Sequence, residues 1–170
     1  MRLRRRIALA AMSLTLLAGC SSNTGSAPAW VDDEVTFVAD GLTVHGTYRH
    51  RGDETGPAAL LISESGRTDR NGDNNVAGPI GNMRQLAEYL SDHGMASLRY
   101  DKVGTGTTGL GPYANRPADV GSAIYTGGAT AAVRFLADQP GTDKNRISVY
   151  GLGEGTIHAM SLADDTTAGA

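Results

Sequence analysis

Three short predicted strands, the continuous apolar run at residues 58–62 and the segments at 95–100 and 147–150, constrain the fold of this chain most strongly. Between the first two, Met83, Leu86, Ala87 and Leu90 recur at helical spacing, and Gly94 stands where a helix C-terminus favours a positive φ. Residues 120–136 read as a second helix with small residues on its packing face, and residues 156–162 begin a third. Strands separated by helices run parallel through right-handed crossovers, which covers the sheet on both faces and makes its strands uniformly apolar. Ahead of this unit, Val35, Phe37 and Ala39 alternate with polar residues, and Asp40-Gly41 is a turn signal. Leu42, Val44 and Tyr48 then resume the alternation, which predicts an antiparallel hairpin over 34–40 and 42–49. The expected class is α/β, a hairpin followed by parallel strands with flanking helices. Chemistry in such sheets belongs at the C-terminal strand ends, here the loops 63–75, 101–111 and 151–155.

Composition narrows the class further. Hydrophobic residues make up 40% and charged residues 19% of the 170, as in a globular protein. The formal net charge of −3 supplies no basic footprint, so nucleic acid is not an expected partner. A single Cys excludes an intramolecular disulfide and a Cys-based zinc site. That residue, Cys20, ends Leu17-Ala18-Gly19-Cys20, behind a basic start (Arg2, Arg4, Arg5, Arg6) and an apolar run at 7–17 too short to span a bilayer. The segment resembles the lipobox of bacterial lipoproteins, which implies a signal peptide over 1–19, lipidation at Cys20 and export to the outer face of the membrane. Residues 20–33, rich in Ser, Gly and Ala at their start, are expected to be a flexible tether to a domain at 34–170.

The most specific motif is Tyr150-Gly151-Leu152-Gly153-Glu154-Gly155-Thr156, between a predicted strand and a predicted helix. A G-x-S-x-G nucleophile elbow needs this setting, because the turn is so sharp that its flanking positions must lack side chains. Residues 63–72, Ser-Glu-Ser-Gly-Arg-Thr-Asp-Arg-Asn-Gly, look like the His-Gly-Ser-Gly-Pro-x-Asp-Arg-Asp-Gly segment of esterase- and peptidase-like α/β-hydrolases. Residues 99–106, Arg-Tyr-Asp-Lys-Val-Gly-Thr-Gly, are similar to that branch's Arg-Tyr-Asp-x-Arg-Gly-x-Gly. Together the three segments resemble the α/β-hydrolase superfamily over residues 34–165. The resemblance implies hydrolysis of a carboxylic ester or amide through an acyl-enzyme, a small ester or peptide as ligand, and no cofactor. It places the backbone N–H groups of Ser65 and Glu154 as oxyanion-hole donors around an elbow of Gly151, Gly153 and Gly155.

The departures bear directly on activity. Gly153 stands at the nucleophile position and carries no nucleophile, so no catalytic residue is assignable. Glu64 replaces a loop Gly beside the oxyanion site, and Val103 replaces the usual Arg. The later strands that bear the family's acid and His are expected to lie past Ala170, leaving the domain incomplete and residues 147–151 an open edge strand. His45 and His50 are read as wet-face residues of the hairpin, His93 as a helix-end residue, and His158 as pointing away from the apex; Ser63 and Ser65 are read as loop caps. Gly104-Thr105-Gly106-Thr107-Thr108-Gly109 is a literal G-x-G-x-x-G, but Leu110-Gly111-Pro112 follows it where a dinucleotide site needs a helix. Asp69, Asn71 and Asp73 mimic a calcium loop, yet Ile80 stands where a bidentate Glu is required, and a loop capping the next helix is the expected role. Two functions follow: an exported hydrolase-like lipoprotein that is inactive or incomplete as this chain, or a non-catalytic surface lipoprotein that keeps the hydrolase pocket for binding.

Overall fold

A computed structural model describes residues 29–52 and 54–168. The expected signal peptide, Cys20 and most of the tether lie outside the described residues. Five strands form one sheet in the order β1-β2-β4-β3-β5: β1 (Val31–Ala39), β2 (Leu42–His50), β3 (Gly56–Ile62), β4 (Ala96–Tyr100) and β5 (Thr142–Gly151). Helix α1 (Asn82–Asp92) links β3 to β4, α2 (Ser122–Ala137) links β4 to β5, and α3 (Gly155–Ala168) follows β5. The hairpin β1–β2 joins β4 antiparallel, while β4, β3 and β5 are mutually parallel neighbours. This is the α/β-hydrolase arrangement, with the hairpin on one flank and the crossovers on the other.

The continuous apolar run in β3 has a simple cause. Ala58, Leu60 and Ile62 pack on the face that also buries Ala129, Ala132 and Leu136 of α2 and Leu162 of α3. Ala59 and Leu61 point the other way, onto Met83, Ala87 and Leu90 of α1. Both pleat faces are therefore dry, and alternation disappears from the sequence. Helix α1 ends in a Schellman motif, in which Gly94 N–H donates to Ser91 O and Met95 N–H to Leu90 O, both at 3.0 Å.

Two boundaries differ from expectation. Val31, Asp32 and Asp33, assigned to the tether, already belong to β1, where they pair with His50, Arg49 and Tyr48. Asp32 also bonds Arg49 at 3.3 Å and Arg99 at 3.2 Å, so this polar stretch is held by charge rather than by burial. Strand β5 begins at Thr142 rather than near 147, because its polar first half needs only the pairing of Thr142 with Gly56 and open solvent beside it. Among the described residues β5 has one strand neighbour, β3, and Tyr150, Leu152, Ile157 and Met160 are exposed around that edge.

Candidate functional site

The C-terminal ends of β3, β4 and β5 bring the three singled-out segments together. Leu152 N–H reaches the Ile62 carbonyl at 3.1 Å, so the β5 end is tied to the β3 end directly before the chain turns into α3. Gly155 N–H and Thr156 N–H then close the turn on Leu152 O (2.9 Å) and Gly153 O (3.1 Å). Gly153 is at the apex with φ of +55°, a left-handed conformation in which a Cβ is strained. A Cβ on Gly151 would collide with the Gly155 backbone, and one on Gly155 with the Ile62 carbonyl.

Space above the apex is taken. A Cβ built on Gly153 lies 2.8 Å from Glu64 Cγ and 3.0 Å from Glu64 Oε1, so the Glu64 side chain stands where a nucleophile's side chain would rise. Glu64 and Gly153 are thus sterically coupled, although they are far apart in sequence. Among the described residues, neither the Ser65 nor the Glu154 N–H donates to a backbone acceptor outside the helices and strands. Ser63 is buried and donates to Thr68 O at 3.1 Å, which makes it a brace of its loop.

Sequence reasoning missed Lys102, which organises this floor. Its side chain is 1% exposed, and Nζ donates to the carbonyls of Ser63, at 3.0 Å, and of Glu64. Glu154 Oε2 lies 3.7 Å from the same nitrogen, and the Tyr125 ring centroid 5.8 Å away. Burial lowers the Lys102 pKa, and the Glu154 carboxylate opposes that shift. In the sequence Lys102 occupied an unspecified position between Asp101 and Val103, and only its adjacency to a buried strand end hinted at a role.

Asp101 joins the other two loops. It is 1% exposed and accepts Arg70 N–H and Thr107 N–H, each at 2.8 Å, with Arg70 Nε 3.6 Å away. Arg99 Nε reaches Asn71 Oδ1 at 3.2 Å, and Arg70 Nη1 lies 2.8 Å from Glu34. The segments at 63–72 and 99–106 are therefore one hydrogen-bonded unit. The glycines of the G-x-G-x-x-G string open no helix; Gly106 lies against the Asp101 carboxylate instead, and a short 3₁₀ turn at Gly111–Tyr113 follows. Asp69 Oδ1 accepts Asn71 and Asp73 N–H and Asp73 Oδ1 accepts Gly81 N–H, the pattern of a loop capping α1.

Three of the four histidines have rings engaged in the framework. His50 stacks on Tyr48 and bonds Asp33 at 2.9 Å, and His93 Nδ1 bonds Tyr89 O at 2.8 Å. His158 turns inward against α2, 1% exposed, with Nδ1 2.9 Å from Thr126 Oγ1 and Nε2 unpartnered among the described residues. Burial lowers its pKa, Glu154 opposes this and Lys102 adds to it. It belongs to the electrostatic neighbourhood of Lys102 and Glu154, on the inner face of α3.

No family model matches the chain, and no curated protein matches it. Solved structures do. The α/β-hydrolase GrgF from Penicillium sp. sh18 superposes with a TM-score of 0.60 at 20% identity, over 77% of this chain and 40% of that one. A dienelactone hydrolase-like promiscuous phosphotriesterase from metagenomic libraries gives 0.57 at 18% identity, over 79% and 54%. A dienelactone hydrolase from Anabaena variabilis gives 0.56 at 16% identity, over 77% and 56%. At these identities the likeness is one of fold, and the chain spans about half the length of these structures.

Proposed function

We propose that this chain is an exported, lipid-anchored protein of α/β-hydrolase fold that binds a small ligand at the strand ends without hydrolysing it. The observation that carries the non-catalytic reading is the placement of Glu64 over Gly153, 2.8 Å from where a Cβ would stand. It puts a carboxylate where a hydrolase needs an open approach to its nucleophile and a site receptive to developing negative charge. The neighbouring Lys102 amine is already engaged by two carbonyls and Glu154. Export and anchoring through Cys20 rest on the lipobox-like sequence alone.

The test is the serine the elbow lacks. Gly153→Ser, assayed on an activated ester, should show no turnover above background, as should the unmodified chain. A serine hydroxyl without an adjacent base is a poor nucleophile, and triad members act as a unit. The variant should also lose about 1–3 kcal/mol of stability, since it places a Cβ at φ +55° against Glu64. Turnover by the unmodified chain that disappears on changing Ser63, Ser65 or a histidine would overturn the reading. Anchoring is checked separately. The protein should partition into detergent and incorporate a fatty-acid probe, and Cys20→Ala should abolish both; unchanged partitioning in the mutant would remove the anchor.

A further inference from the structure

Between the loop at 63–75 and the segment at 103–125 runs a cleft of about 460 Å³, a size suited to a small molecule. Apolar side chains of Val103, Leu110, Val120 and Tyr125 line it, and Arg67 is the one charged lining residue among those described. We propose that this cleft binds a small amphipathic monocarboxylate, its carboxylate paired with Arg67 and its apolar body laid against Leu110, Val120 and Tyr125. This names the ligand class for the non-catalytic binding reading above and rests on it.

The charge at Arg67 is uncompensated. Arg67 is exposed and has no ion pair or hydrogen bond among the described residues. Three nearby carboxylates are committed elsewhere: Asp69 to the amides of Asn71 and Asp73, Asp73 to that of Gly81, and Asp101 to those of Arg70 and Thr107. Glu64 stands over Gly153 with its charge acting on Lys102, and its carboxylate has no hydrogen bond or ion pair among the described residues. Val103 is 5% exposed and apolar and lines the same cleft as Arg67, so one cation and several hydrocarbon side chains share the site. A neutral ligand would leave the guanidinium to water, and a cationic one would be repelled by it. A carboxylate matches the planar fork of the guanidinium bidentately and leaves its alkyl or aryl body for the apolar wall.

Octanoate and its neutral counterpart octanol, titrated calorimetrically into the full chain, separate the two halves of the site. Octanoate should bind roughly two- to fivefold more tightly than octanol, the scale of a solvent-exposed ion pair. Arg67→Gln should bring octanoate down to the octanol level and leave octanol unchanged. Val120→Asp should weaken both, with the circular dichroism of each variant matching the parent. Equal affinity for the two ligands, no binding of either, or octanoate affinity unchanged in Arg67→Gln would overturn the proposal. Hydrolysis of octanoate esters by the chain would instead overturn the non-catalytic reading, while an Arg67-dependent octanoate affinity would still stand.

Discussion

Replacing Gly155 with alanine is expected to cost roughly 3 kcal/mol, the upper end for overpacking, and to lower the melting temperature by about 10 °C or more. The added Cβ falls under 3.0 Å from the Ile62 carbonyl oxygen and within 3.0 Å of the Ile62 carbon and Ser63 oxygen. All three are backbone atoms, so no rotamer change relieves the contact. The first residue of α3 would have to move off the end of β3, and the Leu152–Ile62 hydrogen bond that seals the two strands would go with it. Gly128→Ala is the matched control: it lies inside α2, nothing stands within 4 Å of its Cβ, and alanine there should stabilise by about 0.5–1 kcal/mol. Thermal melts of the two variants measure both effects. Equal behaviour would mean that α3 does not pack this closely on β3.

Asp101→Ala should be as damaging, about 3–5 kcal/mol, by a different route. The carboxylate is almost fully buried and accepts two backbone amides from separate loops, with the Arg70 guanidinium alongside. Deleting it strands Arg70 N–H and Thr107 N–H without acceptors and leaves the Arg70 side chain with Glu34 alone. Asp101→Asn keeps one acceptor oxygen and the volume, so it should recover about half of the loss. Denaturant titration gives both values. Because the loops at 63–75 and 104–110 form the cleft walls, ligand binding should fall with Asp101→Ala even at temperatures where the protein stays folded.

How much of this was legible beforehand depends on the range of the interaction. The hairpin, the three parallel strands and the helices between them follow from local periodicity, and the strand order agrees with the class expected from it. Periodicity failed where strands are polar, at Val31–Asp33 and over the first half of β5, since pairing there is held by backbone bonds and surface charge rather than by a buried face. Gly151 and Gly155 could be named because a sharp strand-to-helix turn has its own sequence signature. Lys102 could not, since its place after a buried strand end does not by itself distinguish a solvated lysine from a buried one.

Sequence alone determined the class of fold, the absence of a side chain at the apex, and a charge balance that gives no basic footprint for nucleic acid. Hydrophobic period and residue chemistry act over a few neighbours, and those properties need nothing more. Tertiary structure decided that Glu64 fills the space above Gly153, that Lys102 pairs with Glu154, and that Arg67 and Val103 line one cleft. Each of these joins groups tens of residues apart, brought together only when β3, β4 and β5 align their ends in one sheet. Whether a charge there is paired, buried or free is set by that alignment, because the cost of an unpaired charge depends on how far its surroundings exclude water.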